Sequence, residues 1–285
     1  MRVHMGLDVG STTVKLVVIN EDEEILYSRY ERHLSDVRET VKSILEDAYG
    51  RFGQCQLTIM VTGSGGMFVE KYLSIDFIQE VIAGTRAINS QLPDIDVVIE
   101  LGGEDSKITY LSGNIDQRMN SICAGGTGAF IDQMASLLQT DAAGLNELAR
   151  GYEKIYPIAS RCGVFAKTDI QALVNQGANQ EDIAASVFQS VVNQTISNLA
   201  QGRPIRGNIA LLGGPIHFLD QLEERFRDTL GEEENKFFVP ANGQVFVALG
   251  AALASKDLEA ISFNQLMEKL DEDPDIRLDR DETLD

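Results

Sequence analysis

Two short stretches of this chain carry residue types that can hold a polyphosphate. Residues 8–15 read DVGSTTVK and residues 100–107 read ELGGEDSK, so both run acid, apolar residue, glycine, four residues, lysine. A glycine-rich turn lets backbone N–H groups approach phosphate oxygens closely, and a nearby lysine adds positive charge. Carboxylate oxygens are ligands that Mg²⁺ prefers. The two stretches therefore predict a site for a polyphosphate with bound magnesium.

Each stretch supplies a set of candidate site residues. Asp8 and Asp105 are the expected magnesium ligands, bound directly or through water. Glu104 is the candidate for positioning or deprotonating the water that attacks the terminal phosphate, and the alternative is an ordinary turn carboxylate. The candidates for holding phosphate are Gly10, Ser11, Thr12, Lys15, Gly102, Gly103 and Lys107. Two ordinary β-hairpins remain the alternative for these stretches.

A third glycine cluster, LLGGP at 211–215, follows a predicted strand. Such a bend lets a flat ring pack against the backbone, so Gly213, Gly214 and Pro215 are candidates for contacts with adenine. Strand-to-helix turns also use glycine without any ligand, and that alternative stays open. The chain contains no GxxxxGK[ST] motif and no GxGxxG after a strand, which argues against P-loop and Rossmann nucleotide sites.

Two cysteines lie in segments of unusual composition. Cys123 is in NSICAGGTGAF (120–130), directly before a predicted helix start, and Cys162 is in SRCGVFAKTDI (160–170). A helix N-terminus directs N–H groups and a positive dipole end towards such a sulfur and stabilises a thiolate. Three cysteines in a chain with no predicted secretion signal indicate reduced thiols. The alternative for both is a buried small hydrophobe, which is also the expectation for Cys55.

The elements that position these residues follow an α/β pattern that begins twice. Three short strands, a helix, a strand and a helix are predicted up to about residue 91, and after QLPD the scheme restarts with two strands and a long helical region. The restart indicates an internal duplication, with two lobes that face each other across a cleft. The expected bounds are 1–92 for the first lobe with a returning helix at 244–256, and 93–243 for the second lobe.

Charge and hydropathy exclude several classes of partner. The formal net charge is −20, which argues against nucleic acid and anionic membranes as partners. No segment is apolar enough for a membrane span and the N-terminus enters a strand pattern at once, so a cytoplasmic location is expected. Residues 257–285 are dense in charge and are predicted to be an acidic tail or linker, whose removal near Lys256 should change stability only slightly.

The motifs resemble those of a known superfamily. DxGSTxxK, GGxDxK and a later GGP turn are similar to those of sugar kinases, heat-shock chaperone ATPases and actin. Within that superfamily, CAGGTGAF and SRCGVFAKTDI resemble the ATP-dependent activators of 2-hydroxyacyl-CoA dehydratases, relatives of the ATPase subunits of benzoyl-CoA reductases. The resemblance spans about residues 3 to 256. It implies an α/β fold of two duplicated RNase H-like lobes with a nucleotide cleft between them, the actin-like ATPase fold.

The resemblance also implies a function. Cys123 and Cys162 would ligate a [4Fe–4S] cluster shared by two subunits, and a homodimer would supply the four thiolates that one chain lacks. An electron from ferredoxin or flavodoxin would pass to a dehydratase-type acceptor while ATP is hydrolysed to ADP. The chain departs from the family pattern by GGED in place of GGQD and by CAGGTGA in place of CAAGTGR.

Two other functions remain compatible with the motifs. One is a small-molecule, sugar-type kinase, and the other is a non-catalytic ATP-binding module of the same fold without a cluster. A kinase has no reason to place cysteines in these two segments, whereas the GGED departure mildly favours a non-catalytic module. A brown colour after anaerobic purification would separate the activator from both alternatives.

Overall fold

Two mixed β-sheets organise the structure, a computed structural model that describes residues 1–120, 125–159 and 163–271. The strands of the first sheet are β1 (Arg2–Val9), β2 (Thr13–Ile19), β3 (Ile25–Arg32), β4 (Gln56–Thr62), β5 (Asp76–Phe77) and β11 (Ile261–Ser262). The strands of the second sheet are β6 (Val97–Leu101), β7 (Ser106–Tyr110), β8 (Asp116–Asn120), β9 (Gly207–Leu212) and β10 (Asn235–Phe238).

Four strands of each sheet share one topology, whereas the edge strand β11 runs antiparallel to β4 and the edge strand β10 runs parallel to β9. The strand order is β11-β4-β1-β2-β3 in the first and β10-β9-β6-β7-β8 in the second. In each, the leading strand pairs antiparallel with the strand that follows it and parallel with a later strand on its other side. The register places Asp8 opposite Lys15 in the first sheet and Glu100 opposite Lys107 in the second. The predicted duplication is therefore confirmed. It includes the acid–lysine pair, which occupies the equivalent register position in each sheet.

Helices cover both sheets. Their bounds are α1 (Val37–Phe52), α2 (Gly66–Leu73), α3 (Glu80–Gln91), α4 (Gly128–Leu137), α5 (Ala142–Ala149), α6 (Gly163–Asn175), α7 (Gln180–Thr195), α8 (Gly214–Phe218), α9 (Asp220–Leu230), α10 (Phe246–Ser255) and α11 (Phe263–Asp271). A π-turn at Ile196–Ala200 continues α7, and a 3₁₀ turn at Gly243–Val245 precedes α10. None of the helices in the described ranges combines the length and apolar character that a membrane span needs.

An apolar cluster joins the two lobes, which are the two sheets with the helices that cover them. It contains Val17 of the first sheet, Val98 of the second sheet and Leu249 of α10. Helix α10 lies close to β1 and α3, since a Cβ at Gly6 would overlap the Ala248 backbone and a Cβ at Gly250 would overlap the Ala83 carbonyl. These small residues allow α3 and α10 to cross in close contact between the lobes.

The C-terminal stretch differs from the acidic tail predicted for residues 257–285. Strand β11 pairs with Gln56 and Leu57 of β4, and α11 packs against α1 and α2. Phe263 and Leu266 are fully buried and Leu270 is 2% exposed. The high charge of this segment obscured an apolar stripe at helical spacing. The prediction of an acidic tail or linker is therefore wrong for residues 261–270, while residues 272–285 lie outside the described residues.

Two further differences concern single elements. The helix predicted for residues 75–91 begins later, at Glu80, because β5 (Asp76–Phe77) occupies the start of that stretch. Strand β8 was not predicted, because its sequence DQRMN lacks apolar alternation. It lies at the edge of its sheet, where a polar sequence is tolerated.

Candidate functional site

The turns after β1 and β6 face each other in a cleft of about 210 Å³ between the lobes. We call it the phosphate cleft. The predicted residues that line it are Asp8, Gly10, Ser11, Thr12, Lys15, Gly102, Gly103, Glu104 and Asp105. Its other lining residues include Ser64, Glu80, Glu100 and Met119. The structure thus brings both predicted turns to one place.

The two turns are in direct contact at Gly103. A Cβ at this position would overlap the hydroxyl of Thr12 in the opposite turn. Only glycine therefore lets the second turn approach the first this closely. Within the first turn, the Gly10 N–H donates to the Thr13 carbonyl at 2.9 Å, which closes the hairpin.

Asp8 and Lys15 form a buried ion pair at the base of the first turn. Lys15 Nζ lies 2.9 Å from Asp8 Oδ2, and Asp8 is 4% exposed. Burial by itself lowers the pKa of Lys15, but the adjacent Asp8 carboxylate outweighs burial and raises that pKa above its usual value. Lys15 is therefore charged at neutral pH and remains a cation close to the place proposed for phosphate.

Lys107 occupies the equivalent place in the second turn and contacts three carboxylates. Its Nζ lies 2.5 Å from Glu80 Oε1, 2.7 Å from Asp105 Oδ2 and 3.7 Å from Glu100 Oε1. Burial lowers the pKa of Lys107, yet the charges of Glu100, Glu80 and Asp105 together raise it well above its usual value. Glu80 belongs to α3 of the first lobe, so this contact ties the lobes together across the cleft floor.

Glu80 competes with two other carboxylates for one ammonium group. Burial raises its pKa from the usual 4.5 to about 7, and the charges of Glu100 and Asp8 act in the same direction against the pull of Lys107. Three carboxylates around one cation cannot all ionise at low cost. The pKa of Glu80 is therefore raised towards neutral pH, mainly by burial.

This shift predicts a pH-dependent stability. The folded chain binds the Glu80 proton more tightly than the unfolded chain, so its stabilising contribution is complete below about pH 4.5 and is lost as the pH rises through about 7. We expect Glu80→Gln to flatten the fall in unfolding free energy between pH 5 and 7.5, measured by urea denaturation. Glu104→Gln, at an exposed position of the same cleft, is the control. An unchanged pH profile in Glu80→Gln would contradict the assignment.

Magnesium fits the donor set of the cleft. Asp8 Oδ1 is buried and has no hydrogen-bond partner, which leaves one carboxylate oxygen for a cation or its bound water. The carboxylates that line or border the cleft within the described residues also outnumber its two ammonium groups. No cluster of three acidic, histidine or cysteine side chains with metal-site geometry occurs in the described part of the chain. A cation here would therefore depend on phosphate oxygens and water for the rest of its shell.

The second turn is hydrogen-bonded to the start of α4. The Gly128 N–H donates to the Gly102 carbonyl at 3.0 Å, and the Ala129 N–H donates to the Gly103 carbonyl at 2.7 Å. No side chain caps this helix, so the turn itself satisfies two of its free N–H groups. Residues 102–103 and the first turn of α4 are thus directly linked.

A second cavity of about 150 Å³ adjoins the cleft on the side of the third glycine cluster. We call it the base-side cavity, and it is lined by Thr12, Tyr30, Gly103, Ile131, Gly214, Pro215 and Phe218 among others. Gly213 has φ of +97° and lines a small adjoining cavity together with Gly214. The three glycine-cluster candidates and both phosphate turns therefore border one continuous region.

Residues of β3 contact the second lobe at the mouth of this cavity. Arg32 Nη1 lies 2.8 Å from Asp132 Oδ2 on α4, and the Tyr30 ring packs edge-on against Phe218 with 5.4 Å between ring centroids. The Arg32–Asp132 pair is well exposed, so it contributes at most about 1 kcal/mol to stability. Its position makes it a contact that opening of the lobes would break.

Cys123 and Cys162 lie outside the described residues, but the segments that flank them meet. Gly125, two positions after Cys123, lies 3.6 Å from where a Cβ on Gly163 would be, and Gly163 directly follows Cys162. Val164 and Phe165, at the start of α6, are 73% and 66% exposed. Cys55 packs against the first-lobe core, as predicted. An exposed apolar surface therefore adjoins the junction of the two cysteine segments.

The sequence motifs did not predict several residues of the site. Glu100 had a signal, since it occupies in ELGGEDSK the place of Asp8 in DVGSTTVK. Ser64 follows β4 in the glycine-rich stretch TGSGG, which resembles a third turn at the same sheet edge. No sequence signal identified Glu80 and Tyr30, because their positions in the site depend on how α3 and β3 pack against the second lobe.

Comparisons with known proteins identify the family of this chain. A family model described as the BadF/BadG/BcrA/BcrD ATPase family matches residues 5–255. A 2-hydroxyisocaproyl-CoA dehydratase activator from Clostridioides difficile is 32% identical over 261 residues, covering 89% of this chain and 94% of the relative. An (R)-2-hydroxyglutaryl-CoA dehydratase activating ATPase from Acidaminococcus fermentans is 28% identical over 215 residues, covering 74% of this chain and 82% of the relative.

A solved structure gives the same picture of the fold. An activator of the 2-hydroxyisocaproyl-CoA dehydratase from Clostridium difficile, with bound ADPNP, superposes with a TM-score of 0.77 at 28% identity, covering 96% of this chain and 99% of that one. The predicted actin-like ATPase fold is confirmed by this similarity. With the family model spanning nearly all of the described body, the chain belongs to the BadF/BadG/BcrA/BcrD ATPase family.

Proposed function

We propose that this chain is an ATP-dependent reductive activator. It binds ATP with Mg²⁺ between the lobes and couples its hydrolysis to the transfer of single electrons from ferredoxin or flavodoxin to a dehydratase-type partner. The named relatives activate 2-hydroxyacyl-CoA dehydratases, which supports this class of acceptor. The working form is a homodimer in the cytoplasm.

The chain's own residues hold and orient the nucleotide. The phosphates lie between the two turns. There, the backbone N–H groups of Gly10, Ser11 and Gly103 can approach the phosphate oxygens closely. Lys15 and Lys107 offset the phosphate charge, and Asp8 and Asp105 hold the magnesium ion or its water. The adenine lies in the base-side cavity beside Gly214 and Pro215. The similar activator was solved with bound ADPNP, which supports an adenine nucleotide as the ligand.

The attacking water has two candidate partners in this cleft. Glu104 lies in the second turn and is exposed, which leaves its carboxylate free to move. Glu80 is held by Lys107 and has a pKa near neutrality, which suits a group that accepts a proton. We assign Glu104 the positioning role predicted from the sequence and Glu80 the electrostatic support of that water.

We propose that the cysteine segments hold a shared [4Fe–4S] cluster. Contact between Gly125 and Gly163 joins the two segments within one chain, so Cys123 and Cys162 would together present half of a four-thiolate shell. The exposed side chains of Val164 and Phe165 provide an apolar surface that a second copy would cover. When bound, the cluster supplies low-potential one-electron chemistry.

The observation that carries this proposal is the path from the second turn to the cysteine segments. Helix α4 is hydrogen-bonded at its start to Gly102 and Gly103, and Gly125, three residues before the helix begins, lies against Gly163. Nucleotide-dependent movement of the turn therefore displaces the segment that follows Cys123. A sugar-type kinase or a passive ATP-binding module has no use for such a link.

The test is anaerobic reconstitution of the full chain with iron and sulfide. We expect a brown protein with about four irons per two chains, following the four-thiolate rule. Cys123→Ser or Cys162→Ser should lose the colour and weaken dimerisation in analytical ultracentrifugation, since a ligand bound only by the dimer favours assembly.

Cys55→Ser is the matched control, because Cys55 packs in the first lobe. It should keep colour and assembly, and all three variants should still bind ATP. A colourless wild-type protein would favour the kinase or the non-catalytic module. Full iron content in a monomeric Cys123→Ser protein would contradict the shared cluster.

A further inference from the structure

His33 lies directly behind the first phosphate turn and has no role in the proposed function so far. It follows β3 and is 8% exposed. Its backbone N–H donates to the Thr12 carbonyl at 3.1 Å, its Nε2 lies 3.2 Å from the Gly10 carbonyl oxygen, and its Nδ1 lies 3.1 Å from the Ser35 nitrogen. One residue thus contacts the first turn twice and its own loop once.

These partners determine the protonation state of the ring. The Ser35 backbone N–H can only donate, so Nδ1 of His33 is the acceptor. The Gly10 carbonyl can only accept, so Nε2 carries the proton and donates to it. The ring is therefore the neutral tautomer with hydrogen on Nε2, and both of its nitrogens are used.

The loop that holds His33 has an unfavourable backbone. Leu34 and Ser35 have φ of +45° and +71°, so two successive residues other than glycine occupy the left-handed region. Leu34 is 86% exposed, so packing of its side chain does not compensate for this conformation. Such backbone persists where surrounding bonds hold it, and the bond from Ser35 to His33 is one of them.

The hydrogen bond from His33 to the Gly10 carbonyl also sets the direction of the Ser11 N–H. The Gly10 carbonyl and the Ser11 N–H belong to one peptide group, and all described peptide bonds are trans. In a trans peptide the C=O and N–H point in opposite directions, so a carbonyl held towards His33 turns the Ser11 N–H away from it. Both Gly10 and Ser11 line the phosphate cleft.

We propose that His33 is a positioning residue that presets the Ser11 N–H for a phosphate oxygen of the nucleotide. This inference rests on the proposed ATP site. The strained loop at Leu34 and Ser35 places the ring, and the ring in turn fixes the peptide group between Gly10 and Ser11. Because the group is preset before ATP arrives, binding requires less ordering of the turn.

Two substitutions of similar shape test the two hydrogen bonds of the His33 ring one at a time. Asn places its side-chain oxygen at the position of Nδ1, so His33→Asn keeps the acceptor for Ser35 and loses the donor to Gly10. Gln places its amide nitrogen at the position of Nε2, so His33→Gln keeps the donor and loses the acceptor. Each variant loses one hydrogen bond, so their effects on stability are matched.

We expect His33→Gln to bind ATP within about twofold of wild type and His33→Asn to bind it about tenfold more weakly, the effect of one lost hydrogen bond. The dissociation constant is measured by calorimetry on the full chain, together with kcat and the melting temperature. The KM for ATP should rise with the dissociation constant while kcat changes little, as expected for an interaction already made in the ground state.

His4 provides the control for a buried histidine outside the cleft. Its Nδ1 lies 2.7 Å from Thr58 Oγ1, and it is 1% exposed. His4→Asn should lower the melting temperature without changing ATP affinity. If wild type binds ATP but His33→Asn and His33→Gln bind it with equal affinity, the positioning role of His33 is overturned while the proposed ATP site stands. A wild-type chain that binds no ATP would overturn the ATP site and this inference together.

Discussion

Truncation of the chain after Ala260 is expected to destabilise the first lobe by about 4.5–9 kcal/mol. The deletion removes β11 and α11, and with them the buried side chains of Phe263, Leu266 and Leu270. Full burial of each such side chain contributes about 1.5–3 kcal/mol. The sum is comparable to the whole stability of a typical domain, about 5–15 kcal/mol. Urea denaturation followed by circular dichroism measures the loss.

A shorter truncation and two point variants serve as controls. Removal of residues 272–285 deletes mostly charged residues and should change the unfolding free energy little. Phe263→Ala alone should cost about 3–5 kcal/mol, whereas Glu268→Ala on the exposed side of the same helix should cost less than about 0.5 kcal/mol. Equal stability of the chain truncated after Ala260 and the full chain would show that α11 does not pack on the first lobe in solution.

Asp8→Asn is expected to lower ATP turnover about a hundredfold or more. The substitution keeps the shape of the side chain but removes the charge that would hold magnesium at the buried Oδ1. Loss of one preorganised electrostatic contact to a reacting group typically lowers kcat by about 10²–10³. Asn is preferred to Ala, because the Asn side-chain oxygen can still accept a hydrogen bond from Lys15, whereas Ala would leave this buried ammonium without its acceptor and cost about 3–5 kcal/mol of stability. Phosphate release at saturating ATP is the measurement.

Asp116→Asn is the matched control for charge removal. Asp116 also forms ion pairs, at 3.0 Å with Arg118 and 2.7 Å with Arg203, but it does not line the phosphate cleft. Its substitution should leave turnover near that of wild type. Turnover at the wild-type rate in Asp8→Asn would remove Asp8 from the site, whatever the result for the control.

Residues that meet through local pairing were predictable from the sequence. In an antiparallel hairpin, a short glycine turn brings the residue before it opposite the residue after it, so an acid and a lysine seven positions apart become neighbours. Asp8 and Lys15 pair in this way, and Glu100 and Lys107 repeat the pattern. The repeated spacing was therefore enough to predict the duplication and the two turns, and the proposed phosphate site rests on the same residues.

Residues that meet through packing of distant elements required the tertiary structure. Glu80 reaches Lys107 because α3 crosses between the lobes, and His33 reaches Gly10 because β3 ends behind the first turn. The C-terminal helix docks because its apolar stripe fits against α1 and α2, although its composition is that of a solvated tail. Local spacing along the chain constrains hydrogen-bonded neighbours, whereas contacts between elements depend on the shapes of their buried faces, which composition and periodicity do not encode.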